Sequence, residues 1–422
     1  MRKIPSILIA SILTFGSAVS ASAEPVSLRV GYAFAYRDAA WREQVANEFM
    51  RIHPDIKIKL ESNATDCPTL LQQTLRSAIT NDLPDVIASV CYPDMQVLAD
   101  RGVAVPIDTF ISNDKSWSEV GLTPAAMNTV KWKGSVIALP ENISSLIVYF
   151  NMALVQKADP VLKELPTTWD GILQLANNVG SRDKDSMPIF MEYYPDSYNW
   201  SFNGLIYNFG GDVFDKNGKI AFDSAAGKQA LEILQRLGKA GMTDITSEQA
   251  RQSFVAGKIA IYVASSSLLN IFTKGAANNF DMRTEQYPHS APDGKLPSGG
   301  GGFVMATKDA DKQRAAWEFM KFAVGPEAQT VMVTKAGFTP VNSTAISSAQ
   351  FLGDFYKAKP NYIVAVDELP RIKPMNIYPG ENGPKITTVI RDYLQSVVTL
   401  KRTPEEVMPE MVRDVSRLLP KK

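Results

Sequence analysis

Apolar and other positions alternate at period two in VSLRVGY (Val26–Tyr32), the pattern of a strand with one buried face. Residues 40–52, AWREQVANEFMRI, then carry the apolar spacing of a helix, and Pro54 follows its end. IKIKL is a second strand, Pro68 opens a helical run to about Ile79, and DVIASV is a third strand. A short helix, MQVLADRG, ends at Gly102. Strands alternating with helices predict βαβ units and a largely parallel sheet, with ligands taken outside the carboxyl ends of the strands. A second set of elements follows ALPEN (138–142). SLIVYF is a strand, PTTWDGILQLANN a helix beginning after Thr167 or Thr168, and MPIF another strand. Residues 225–238 form an amphipathic helix that either Asp223 or Ser224 can cap. SEQARQSFVAGKIAIYVASSSLLNIF reads as helix, stop at Gly257, strand, helix. DKQRAAWEFMKFAVG is a further helix before Pro326, and the last sixty or so residues are mainly helical. No repeat, low-complexity tract or long linker interrupts this order, and two α/β lobes is the natural reading.

The N-terminus changes the compartment. MRKIPSILIASILTFGSAVSASA has two basic residues, an apolar stretch and a small-residue A-x-A ending at Ala23, the order of a secretory signal peptide. Residues 1–23 are therefore expected to be removed. No cysteine follows the apolar run to take a lipid, and no other window is apolar and long enough to span a bilayer. Removing 23 of the 422 residues leaves 399, with 42 basic and 44 acidic side chains once Arg2 and Lys3 are gone. A charge so near zero argues against a nucleic-acid partner, which needs a basic surface. The only cysteines, Cys67 and Cys91, form either one disulfide or two separate buried thiols, and an oxidising compartment favours the bridge.

Catalytic motifs are absent from the sequence. Its two histidines, His53 and His289, sit in no zinc-ligand spacing, and there is no G-x-S-x-G elbow and no P-loop. A glycosidase-type carboxylate pair would have to be picked arbitrarily among 44 acids. The reading is of a non-enzyme with neither cofactor nor metal. Ser265, Ser266 and Ser267 stand where a buried-strand run gives way to helical spacing. One serine suffices for a cap, so three also suit contact with ligand hydroxyls or an anion. SGGGGFVMA (298–306) sets four glycines before a strand, where backbone can approach a ligand or simply form a loop tip. EYYPDSYNWSFNGLIYNFGG (192–211) crowds aromatics into a loop and a helix start. Trp200 is the first candidate for stacking on a sugar ring, with Tyr194 and Tyr198 beside it. Phe202 and Trp169 are expected to pack in the core.

Several stretches, in order, resemble the extracellular solute-binding proteins of carbohydrate ABC importers, the family of maltose- and glycerol-3-phosphate-binding proteins. They are LRVGYAF…WREQVANEFMRIHPDIKIKL, LPDVIASV, ALPENISSLIVYFNMALV, LPTTWDGILQLAN, FVAGKIAIYVASSSLLNI, SGGGGFVMA…AAWEFMKFAVGPEAQ and KAGFTPV. The resemblance implies a two-lobed α/β periplasmic-binding-protein fold with three hinge crossings, near Asn142–Leu146, Ser290–Gly300 and Pro340–Ala345. Lobe one would combine residues 24–142 and 300–340, and lobe two 146–290 and 346–420, closing on ligand in the cleft between them. It implies a small carbohydrate-like solute and ABC permease subunits as partners, a monomer, and a Gram-negative periplasm. It carries ligand contact to Ser144 or Ser145, Trp200, the serines from Ser265 and Ser266, the glycines Gly300, Gly301 and Gly302, and, more weakly, Tyr356.

Two departures from that pattern bear on the ligand. Cys67 and Cys91 fall where the glycerol-phosphate branch carries a ligand-binding tyrosine and glutamate. As neighbours in one cleft wall they are expected to form a disulfide. It would close a loop of about 25 residues and be worth roughly 3 kcal/mol in the chain-entropy model. The arginine that binds phosphate in that branch is missing from MNIYPGENGPKI, where Pro379 or a neighbour stands. The expected ligand is therefore a sugar- or polyol-derived solute other than glycerol-3-phosphate. The alternatives are a secreted carbohydrate-active enzyme, a glycerophosphodiester or glycerol-phosphate binder of the same fold, and a binding protein serving a signalling receptor.

Overall fold

A computed structural model describes residues 24–194, 197–375, 377–378 and 380–420. The expected leader, residues 1–23, and Pro379 lie outside the described residues. Strand β1 (Val26–Ala33), helix α1 (Ala35–Ile52), β2 (Ile56–Ala64), α2 (Cys67–Ile79), β3 (Val86–Cys91) and α3 (Tyr92–Asp100) reproduce the alternation read from the sequence. Two sheets follow from the rest. With β4 (Leu139–Ser144), β5 (Leu146–Asn151), β6 (Met187–Met191), β7 (Ile259–Ser265), β8 (Met282–Gln286) and β9 (Gly299–Met305), one sheet runs β2-β1-β3-β9-β4. The other runs β8-β5-β7-β6.

Neither sheet is largely parallel. In the first, β1 pairs in parallel with β2 and β3, but β9 is antiparallel to both β3 and β4. In the second, β5 is antiparallel to β7 and β8, and only β6–β7 is parallel. The reason is the chain path. β9 returns from the second sheet and enters the first in reverse, and β5 leaves the first through a single residue, Ser145. Strands covered on both faces read as nearly continuous apolar runs, as every residue of β5 is buried.

Local chemistry fixes the helix ends. Of the two residues before the helix Ala225–Lys239, Ser224 is the cap, its Oγ accepting from the Gly227 N–H. Thr168 caps Trp169–Arg182 in the same way, and Thr246 with Gln249 makes a reciprocal capping box before Ser247–Val255. Phe202 and Trp169 are core residues; the Trp169 ring meets Tyr287 edge-on at 5.4 Å. Among the described residues, no helix is long and apolar enough to cross a membrane.

Three passages link the sheets. Ser145 is the first, and the chain between β8 and β9 is the second. The third lies beyond Asn342, whose Nδ2 donates to the Val120 and Val324 carbonyls. Ser343 likewise bonds Gly121, so the short helix Ser343–Ser347 stays with the first sheet. By Pro360–Asp367 the chain packs on β8, with the Asn361 side chain accepting the Thr284 N–H.

Candidate functional site

A cavity of about 550 Å³ opens between the sheets. Its walls follow the carboxyl ends of β1, β3, β4 and β7, where open α/β sheets place ligands. From the end of β1 come Phe34, Tyr36, Arg37 and Asp38. From the other sheet's side come Trp200, Arg251, Ser265 and Ser267.

The floor is braced by a buried ion pair. Arg42 Nη1 and Nη2 donate to Glu141 Oε1 and Oε2 at 2.6 and 2.8 Å, and Nη2 also reaches Ser89 Oγ at 2.7 Å. The Ser89 N–H donates to Glu141 Oε2, which holds this strand residue at φ 58° in the left-handed region, facing the cavity. Tyr92 ties β3 to β4 through its hydroxyl, which donates to the Asn142 carbonyl at 2.7 Å.

The wall beside this floor carries the two cysteines. Cys91 ends β3 and Cys67 opens α2 just after its cap, Asp66. They form a disulfide with Cα atoms 5.9 Å apart, and both border the cavity. An Asp94 oxygen lies within 4.8 Å of the sulfurs, but sulfurs bonded to each other offer no thiolate to a metal. Burial pushes the Asp94 carboxyl up to about 7, against the opposing effect of the Tyr198 hydroxyl that donates to it at 2.8 Å.

Gly299, Gly300 and Gly301 form the adjoining edge. Gly300 has φ +98°, and a Cβ there would fall 2.4 Å from the Asn142 carbonyl oxygen. Asn142 and Ser298 line the cavity, while their Oδ1 and Oγ atoms are themselves buried, without a hydrogen-bond partner among the described residues.

Of the residues read from the sequence, Ser144, Trp200, Ser265, Gly300 and Gly301 line this cavity. Trp200 Nε1 donates to the Pro297 carbonyl at 3.2 Å, which orients the ring against the second crossing. The others lie elsewhere, each for a visible reason. Ser145 and Ser266 stitch the first crossing together: the Ser145 N–H donates to Ser266 Oγ at 3.2 Å, and the Ser266 N–H to the Ser145 carbonyl at 2.8 Å. Ser267 takes the cavity position in place of Ser266, its hydroxyl paired with Ser265 Oγ at 2.9 Å. Gly302 is one residue deeper in β9, against Leu139 and Met95. Tyr194 sits beside a separate hollow, under the Arg391 guanidinium at 4.7 Å. Tyr198 is spent on Asp94, and Tyr356 is buried with Phe355 at 5.5 Å.

Charged cleft residues were not foreseen. Arg37 donates through Nε and Nη2 to Asp38 Oδ1 and Oδ2 at 2.7 and 3.0 Å. Arg251 pairs with Glu192 through Nε and Nη2 at 2.7 and 2.8 Å, and the Tyr262 hydroxyl also donates to Glu192. The rule that ligands sit outside the carboxyl ends of the strands, applied to the end of β1, would have found Phe34–Asp38.

Comparison with known proteins agrees with this geometry. The sequence profile of bacterial extracellular solute-binding proteins matches residues 44–362. The sn-glycerol-3-phosphate-binding periplasmic protein of Pectobacterium atrosepticum is 24% identical over 403 residues, covering 89% of this chain and 87% of that one. A crystal structure of a Mycobacterium tuberculosis relative in complex with glycerophosphocholine superposes with a TM-score of 0.79 at 19% identity, over 94% of this chain and 98% of that one. The cyclic alpha-maltosyl-1,6-maltose binding protein of Arthrobacter globiformis also gives 0.79, at 18% identity over 93% and 99%. The fold is that of these two-lobed binding proteins, and the chain belongs to the bacterial extracellular solute-binding protein family.

Proposed function

We propose that the chain is a monomeric periplasmic receptor of a Gram-negative cell. It binds a sugar- or polyol-derived solute other than glycerol-3-phosphate and delivers it to ABC permease subunits. The bodies that close are residues 24–142 with 300–340 and the helix Ser343–Ser347, which is hydrogen-bonded to them, and residues 146–290 with the chain beyond that helix to 420. One observation carries the reading: a single cavity takes Cys91 and Gly300 from one sheet and Trp200, Ser265 and Ser267 from the elements of the other. A solute touching both walls favours the closed arrangement, the form a permease can recognise. The ligand contacts in this reading are Ser144, Trp200, Ser265, Ser267, Gly300 and Gly301.

The relatives named above bind glycerol-3-phosphate, glycerophosphocholine and a cyclic maltosyl-maltose, so the family chemistry spans phosphate esters and neutral saccharides. Here a disulfide stands in the cleft wall, and each arginine lining the cavity is paired with a carboxylate. Both favour the saccharide side. The test is a thermal-shift screen of the mature chain over sugars, polyols and their phosphates, with small-angle scattering to read closure. A solute at a hundred times its Kd stabilises by about 2.7 kcal/mol. Tight glycerol-3-phosphate binding would refute the ligand assignment. Turnover of oligosaccharides would establish an enzyme instead.

A further inference from the structure

Arg37 is restrained on three sides. Its guanidinium lies 4.5 Å from the Phe34 ring centroid and 4.4 Å from that of Phe338, so aromatic rings contact it on two sides. Its third contact is the bidentate bond to Asp38. A guanidinium carries five N–H groups. Asp38 takes two, no other hydrogen bond engages Arg37 among the described residues, and the side chain borders the cavity.

Asp38 is a fixed counter-ion. It is 1% exposed and sits in the first turn of α1, where the helix end itself favours a negative charge. Across the cleft Glu192 plays the same part for Arg251. The two guanidiniums of the cavity wall thus come from opposite lobes, and each is already neutralised by its own carboxylate. The remaining charged group at the rim, Glu248, is negative and exposed.

We propose that the Arg37–Asp38 pair is a specificity device. It offers directional N–H donors without net positive charge, so the cleft selects the hydroxyl and ring oxygens of an uncharged sugar or polyol over the phosphate ester of the same compound. A neutral oxygen accepts from the free edge at no electrostatic penalty. A phosphate placed there is attracted by the guanidinium and repelled by the carboxylate immediately behind it, which removes most of the advantage that arginine gives an anion site. The proposal rests on the solute-binding reading above and names the class of solute for it.

The experiment uses the mature chain with inorganic phosphate as probe. It compares wild type with Asp38→Asn, which keeps shape and acceptor oxygen while removing the charge. At low ionic strength wild type shows no phosphate-dependent rise in Tm, whereas Asp38→Asn binds phosphate at least about tenfold more tightly. The double variant Arg37→Gln/Asp38→Asn loses that gain. Phosphate binding by wild type as tight as by Asp38→Asn, or no gain in a folded Asp38→Asn, overturns the proposal. Where Asp38→Asn does not fold, the wild-type chain decides the matter. A sugar or polyol that stabilises it is titrated beside its own phosphate ester, which binds at least about tenfold more weakly if the pair acts as stated. An ester bound equally well or better overturns the proposal. A chain that no solute stabilises refutes the uptake reading instead, while the phosphate comparison between wild type and Asp38→Asn still judges the charge pair.

Discussion

Asp94 contributes stability that is lost as pH rises from about 4 toward neutrality. The carboxyl lies in α3 beside the disulfide, 3% exposed, and accepts a hydrogen bond from Tyr198 of the other lobe. No cation pairs with it among the described residues, so burial sets its behaviour and raises it to about 7. In the unfolded chain the same group titrates near 3.9. Between about pH 4 and 7 the folded chain therefore holds a proton that the unfolded chain has lost. Stability falls as pH rises through that window and is flat above it. At 1.36 kcal/mol per pH unit, a window of about three units is worth up to about 4 kcal/mol. Asp94→Asn removes the titration while its amide oxygen still accepts from Tyr198.

Urea denaturation of wild type and Asp94→Asn, from about pH 5 to 8, measures this directly. The variant gains on wild type as pH rises, by up to about 2.7 kcal/mol, since about two units of the window lie in that range. Parallel pH profiles for the two proteins would refute the reasoning. Tyr198→Phe supplies the complementary check. It strips the partner from a buried carboxyl and costs about 1–3 kcal/mol, with the loss greatest above the window, where the group is charged. The donor is itself held in place. Tyr198 and Asn199 both have positive φ, 56° and 53°, and the Tyr378 hydroxyl and the Asn203 amide fix that turn. Because the pair joins the lobes, the same window is expected in solute affinity, with tighter closure on the acid side.

Three further outcomes are expected. Replacing Cys67 and Cys91 by serine removes a bridge between residues 24 apart in sequence and lowers stability by about 3 kcal/mol in denaturant titration, while free thiols in oxidised wild-type protein would contradict the pairing. Trp200→Ala lowers solute affinity in calorimetry by at least about tenfold with little change in Tm, and Trp200→Phe, which keeps a ring without the bond to Pro297, recovers part of it. Gly300→Ala puts a Cβ 2.4 Å from the Asn142 carbonyl at a φ of +98°. It costs at least about 1–3 kcal/mol by thermal unfolding, whereas an unchanged Tm would mean that this edge is loose.

Much of the fold was legible because its signals are local. The period-two run of β1, the apolar stretch of β3 and the serine and threonine caps each act within a few residues. Sheet direction was not, since the reversal of β9 depends on the chain crossing to the second lobe and returning, which no local pattern encodes. The site divides the same way. Trp200, Ser265 and Gly300 were singled out because aromatic, hydroxyl and glycine clusters stand out in composition, and all three border the cavity. Tyr194, Tyr198 and Tyr356 stood out equally, and the structure places them away from the cavity. Whether an aromatic faces a cleft or a neighbouring helix is decided by packing that the sequence does not display. Arg37 was passed over because a surface arginine is commonplace. Only the two rings and the carboxylate around it, Phe338 being three hundred residues away in sequence, distinguish it.

The cleft chemistry then has one consistent character. Trp200 has committed its N–H to the second crossing and keeps its ring for the cavity. Ser265 and Ser267 share a hydrogen bond with each other, the sulfurs are joined, and each cleft guanidinium has its own carboxylate. What is left around the cavity is mostly neutral polar and apolar surface, with Glu248 the remaining charge at its rim. Such a surface rewards a molecule that is itself a mixture of hydroxyls and C–H faces, and gives no return for a net charge carried out of water. A tyrosine and a glutamate in place of the disulfide would change that balance, adding an ionisable acceptor to the wall. For that reason the two cysteines and the Arg37–Asp38 pair, which border the same cavity, favour the same class of solute.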